Sequence, residues 1–277
     1  MLKQLLKYEF KATGRTYGGL YLALVALAVL SGFSLRSSSK DDFASLLLFA
    51  YMVVAVAVAV VSVMTIVTRF TRNLLGREGY LMHTLPVSNA QLILAKLIPS
   101  IVWVLCSIVV VLLSFVLFSL FGTLNSAAVS EFFHAFSRYG SEIGKLLSSV
   151  IKGYGVTLVL MVLEWLASLT CSILCIYTAC MIGHWCKKYF VAVSIAAFVV
   201  LNVLQNQLLN LLPYNTTNTG LDLVFSTSAG DGSIVYTVTG NKTYLWAVLA
   251  TLAADLVLCA VYFTATSWLM KNKLDLE

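Results

Sequence analysis

Charged side chains are scarce in this chain, at 11% of its 277 residues, where soluble domains carry about 25%. So few charges cannot clothe a water-facing surface, which excludes an ordinary soluble fold. Proline is nearly absent, with Pro86, Pro99 and Pro213 the only three. Signatures of enzyme chemistry are missing as well. No G-x-x-x-x-G-K-[ST] occurs, so the chain has no Walker loop for ATP. The nearest stretch, Gly140 to Lys145, has the wrong spacing. H-E-x-x-H and G-x-S-x-G are also absent, which removes two hydrolase templates. The six cysteines include no C-x-x-C pair. Cys171 and Cys175 share a helix face, but without a nearby histidine or carboxylate they read as small buried hydrophobes. His83, His134 and His184 fall in three different non-spanning segments.

What the chain does have is apolar length. Hydrophobic residues make up 60% of it, and the mean hydropathy is +0.92. The apolar runs are continuous rather than alternating, which argues for membrane helices over a β-barrel. A Val-Ala alternation at 53–60 is a local exception inside a longer run. Six spans are long enough for a hydrocarbon core of about 30 Å, near 17–35, 43–68, 97–121, 156–182, 189–212 and 244–270. The first lacks an A-x-A-like cleavage site and reads as a retained span. Before it, Lys3, Lys7 and Lys11 recur along one face of residues 2–15. That pattern predicts a separate amphipathic helix, residues 1–16, lying among lipid headgroups. The rest, 17–277, reads as a single transmembrane domain.

The distribution of basic residues orients the spans. With the N-terminus inside, inner segments hold 12 Lys and Arg against 6 outside, and this bias places both termini in the cytoplasm. The net charge of +6 is explained by anionic lipid and calls for no nucleic acid.

A polar stretch interrupts this pattern at 69–96, RFTRNLLGREGYLMHTLPVSNAQLILAK. Ser88 can cap a helix, Gln91 can reach back to it, and Val87 can staple onto Leu92. The segment therefore reads as a short helix over 78–85, a break at Pro86, and a helix entering the membrane. It is either an amphipathic connector resting on headgroups or a contact site for a partner.

GREGYLMHTLPVS, followed by an apolar helix with a lysine at its start, resembles the loop after the second span of bacterial ATP-binding-cassette exporter permeases of the second family, the ABC-2-like type V exporter fold. The close likeness covers about 30 residues, and the hydropathy layout is similar along the whole chain. The resemblance implies an all-α integral membrane protein of six spans with an N-terminal connecting helix. It also implies a cytoplasmic coupling helix in which Arg77, Glu78, Gly79, Tyr80, Leu81 and Leu85 face an ATPase subunit and Pro86 sets the elbow. ATP and Mg would then be held by that partner, with no cofactor in this chain. A second permease subunit, identical or similar, would complete the pathway in the bacterial cytoplasmic membrane.

Two segments are assigned to the outer side. Residues 123–155 carry possible helix starts at Ser130 and Ser141 and read as one or two short helices, with Phe132, Phe133, Phe136 and Tyr139 at headgroup level. Within 213–243, LDLVFST and IVYTVT flank an Asp-Gly-containing turn and read as a hairpin. On the inner side, GHWCKKY at 183–189 reads as an interfacial anchor rather than a metal loop.

Candidate chemistry sits inside the spans. Glu164 and Asp255 lie roughly 8 to 11 residues in from the outer face, or about 12–17 Å deep. They are protonated, bonded to hydroxyls such as Thr157 or Thr251, or open to a wet cavity. Either they are neutral structural acids or they line a route for a cationic or amphipathic substrate. Asn202, Gln205, Asn206 and Asn210 recur at helical steps in the fifth span, where amides bridge helices or bind substrate. In the resembled family the second and fifth spans flank the dimer axis and line the pathway. In the second span, Ala55, Ala59 and Ser62 allow close approach of another helix, within the subunit or across a dimer. The leading expectation is an exporter permease subunit moving a peptide, lipid or drug-like substrate. The alternatives are an intramembrane enzyme using Glu164 and Asp255, and a membrane immunity or interaction protein that transports nothing.

Overall fold

The computed structural model of the chain describes residues 2–36, 42–75, 89–123, 126–185, 189–211, 223–227, 234–238 and 242–272. Six α-helices follow in order: α1 (Leu2–Arg36), α2 (Asp42–Phe70), α3 (Asn89–Thr123), α4 (Ser126–His184), α5 (Phe190–Asn210) and α6 (Lys242–Asn272). A π-helical turn, Thr71–Leu75, prolongs α2. Strands β1 (Leu223–Thr227) and β2 (Ile234–Val238) pair antiparallel, with Phe225 opposite Tyr236. All six helices contain a stretch long and apolar enough to cross a membrane, the makeup of a multi-pass membrane protein. The surface agrees with that reading. Val191, Ile195, Val199 and Val203 of α5 are all more than half exposed, an apolar face that acyl chains would cover and water would not tolerate.

Two helices are longer than their sequence patterns suggest. No separate helix over 2–15 precedes the first span, because α1 runs unbroken from Leu2 to Arg36. It contains no proline, and its Gly14 packs against the Trp103 ring, so nothing forces a break. Similarly, α4 passes through Ser130 and Ser141 without ending. Serine favours a helix start only where the preceding backbone leaves the helix, and no proline lies between Pro99 and Pro213 to make it do so.

The chain forms two compact units, residues 1–133 with 267–277, and residues 134–266. In the first, α1 packs along α3, with α2 alongside both. Leu24, Ala28, Tyr51 and Val58 form the apolar centre, and Ala55 and Phe118 pack against it. Small polar residues fix the helices laterally. Ser107 of α3 lies 2.7 Å from the Tyr21 hydroxyl of α1 and 3.2 Å from that of Ser62 of α2. Ser62 and Ala55 thus serve packing within the subunit, whereas Ala59 is exposed. Aromatic stacking adds to this, with Tyr17 on Trp103 at 4.6 Å and Tyr51 on Phe118 at 5.5 Å between ring centroids. At one end, α1 and α3 come together at Gly32, where a β-carbon would sit 2.8 Å from the Phe118 carbonyl oxygen.

In the second unit, α4 and α6 run side by side, and three polar contacts join them. Thr251 bonds Glu164, the Cys259 thiol donates to the Ala167 carbonyl, and Thr178 meets Thr266. Helix α5 turns back tightly against α4, since a β-carbon on Gly183 would collide with the Ser194 side chain and approach the Phe190 carbonyl oxygen at 2.9 Å.

Candidate functional site

In the first unit the site of interest is the junction where the polar stretch leaves and re-enters the helical bundle. Arg77, Glu78, Gly79, Tyr80, Leu81, Leu85 and Pro86 lie outside the described residues, as does the Ser88 cap. Their two flanks are described, and they converge. Leu74 on the exit side and Leu92, Ala95 and Lys96 on the entry side line one small cavity together with Leu5 and Glu9 of α1. Leu74 is fully buried, and Leu92 is 3% exposed.

An ion pair closes this junction. Lys96 Nζ donates to Glu9 Oε1, with both side chains largely buried. Two charges withdrawn from water are costly unless paired, so each demands the other. The lysine pattern of 2–15 does not point to Glu9, although it is the only acid in the first 40 residues. A lone acid amid basic residues was the available signal. A second polar cavity lies beside the pair, lined by Thr13, Thr65, Arg69 and Ser100 among others. The Trp103 indole Nε1, on the same cavity, is buried with no hydrogen-bond partner among the described residues.

The second unit brings Glu164 and Asp255 together on facing helices. Glu164 Oε1 lies 2.6 Å from the Thr251 hydroxyl, a bond one helical turn from Asp255. Asp255 is 4% exposed, and its Oδ1 is buried with no hydrogen-bond partner among the described residues. Asp255 lies within electrostatic reach of Glu164.

The amides of α5 do not join them as a set. Asn202 Nδ2 donates to the Phe198 carbonyl at 3.1 Å and points toward Cys175 Sγ at 3.8 Å, which ties α5 to α4. Gln205 is buried, while Asn206 and Asn210 are exposed. Among the described residues no cluster of three His, Cys, Asp or Glu could hold a metal ion, and Cys186 beside His184 lies outside them. Comparison of the chain with protein-family models, curated proteins and solved structures finds no match.

Proposed function

We propose that this chain is the membrane-spanning permease subunit of an ATP-driven exporter of the ABC-2-like kind, moving an amphipathic peptide, lipid or drug-like substrate outward. The observation that carries the reading is the convergence of both flanks of 76–88 on the N-terminal helix. A stretch that resembles a coupling helix is bounded by buried, charge-paired anchors, as a segment that receives force would need to be. A passive tether would not need such fixed ends.

In this reading the junction faces the cytoplasm of a bacterium, as the excess of basic residues on that side favours. Arg77, Glu78, Tyr80, Leu81 and Leu85 dock on a separate ATPase that holds ATP and Mg, and Pro86 sets the angle of entry into α3. A second permease subunit, identical or similar, faces this one across the pathway. The chain itself performs no hydrolysis. Strands β1 and β2 stand on the outer side. Glu164, Asp255, Asn202, Gln205 and Asn206 line the substrate route.

The decisive experiment is purification of the tagged chain from its native membrane. A nucleotide-binding subunit should be retained, and replacing residues 76–88 by a flexible linker should release it. Recovery without any ATPase, or one retained equally by the linker variant, overturns the reading. A second reading, an intramembrane enzyme, is favoured by the bond of Glu164 to Thr251, one helical turn from Asp255. It predicts turnover of a membrane substrate by the purified chain without ATP.

A further inference from the structure

We propose that Glu164 and Asp255 form a proton-binding site in the apolar layer, exchanging a proton with the surrounding water. Such a site does not depend on the permease reading. Asp255 is almost wholly enclosed, yet its Oδ1 accepts no hydrogen bond among the described residues. A carboxylate oxygen buried in that state is unfavourable unless a ligand completes it. No Lys or Arg occurs anywhere in 155–184, 190–210 or 245–270, so these spans contain no fixed cation to do so.

The hydrogen bonding around Thr251 leaves a place for the proton. Its hydroxyl lies 2.6 Å from Glu164 Oε1, 3.0 Å from the Val248 carbonyl oxygen and 3.3 Å from that of Ala247. A hydroxyl has one hydrogen to give. When that hydrogen goes to the backbone, the short contact with Glu164 requires the hydrogen to sit on the carboxyl group. When Glu164 is ionised, Thr251 turns and donates to it instead. The same geometry therefore accommodates both protonation states, and no other side chain has to move.

The ligand class follows from the number of donors. Two carboxyls and a hydroxyl offer fewer oxygens than the six to eight or so that calcium or magnesium takes. A proton needs one lone pair and no cavity. Among the described residues, the remaining titratable groups facing Asp255 are Cys171 from α4 and Cys259 on α6 itself, neither of which brings a positive charge. Helix α5 has no titratable side chain over its length. Uptake converts one carboxylate to the acid, and release to water restores the charge.

Infrared difference spectroscopy of the full chain in liposomes tests this. The expected result is a carboxylic-acid carbonyl band, at the frequency of a water-poor site, whose intensity follows pH and which shifts in heavy water. Asp255→Asn or Glu164→Gln should abolish or displace it. Labelling the unmutated chain with carbon-13 aspartate should move the Asp255 contribution, which keeps the test valid if a variant does not fold. Absence of the band overturns the proposal. So does a band that ignores heavy water, which marks a static acid, or one that no variant or label alters.

Discussion

Thr266 lies 3.2 Å from Thr178, 88 residues before it in the chain, and Thr251 lies 2.6 Å from Glu164 at a separation of 87. A nearly constant offset along two helices means that they run parallel and in register. Two helices crossing a membrane in the same direction must be separated by one that returns, and α5 is that helix. The matched polar residues form a seam between α4 and α6, extending about 21 Å at 1.5 Å per residue.

The seam predicts a specific thiol pairing. Cys171 faces Cys259 between the two threonine contacts. Mild oxidation of the detergent-solubilised chain, followed by peptide mapping, should therefore join these two cysteines. Linkage of Cys259 to Cys106 instead would contradict the register. A double-mutant cycle on Thr178→Val and Thr266→Val should give a coupling of about 0.6 kcal/mol, the scale of interhelical hydrogen bonds in membranes.

Breaking the Glu9–Lys96 pair on one side should cost about 3–5 kcal/mol, because the surviving charge stays buried after losing its ion-pair partner. Glu9→Gln and Lys96→Met should each lower the unfolding midpoint in detergent. The double variant Glu9→Leu with Lys96→Met should recover much of the loss. Additive losses would mean the pair is not coupled in solution.

Ser107 accepts or donates to both Tyr21 and Ser62, so it ties three helices through one hydroxyl. Ser107→Ala should destabilise by about 1–2 kcal/mol. Tyr21→Phe in the Ser107→Ala background should then add little, since only the longer 3.3 Å contact to the Trp103 carbonyl oxygen is left to that hydroxyl, and a full second loss would show that this contact carries the bond instead.

Gly32→Ala should be more harmful than its size suggests. The added carbon meets the Phe118 backbone oxygen at 2.8 Å and the Phe121 β-carbon at 2.9 Å, neither of which can swing aside. A cost of about 1–3 kcal/mol is expected for overpacking. Gly18→Ala on the same helix, where nothing lies within 4 Å, is the control and should be neutral or mildly stabilising.

Glu78→Ala should weaken retention of an ATPase subunit while leaving the fold of the chain intact, as judged by its unfolding midpoint. An unchanged, fully active complex would remove the docking role given to that side chain.

The spans were legible because crossing an apolar layer requires an unbroken run of apolar residues, and that requirement is local. Continuity was less legible: the lysine face of 2–15 and the serines at 130 and 141 look like boundaries, yet α1 and α4 pass through them. Local cap preferences are weak beside a backbone that has no reason to leave the helix. The acids at 164 and 255 stood out from their apolar surroundings, and Thr251 was a nameable partner for them. That they meet required a register between helices 87 residues apart.

By itself, the sequence determined that this protein spends most of its length in an apolar medium, since sparse charge and continuous apolar runs admit no other solvent. Only the tertiary structure decided which polar groups meet there. Glu9 found Lys96, Glu164 found Thr251, and Asp255 was left with an oxygen that no described neighbour completes. Burial follows from residue type, which each position carries alone. Partnership depends on which helices adjoin and at what offset, which no single segment contains.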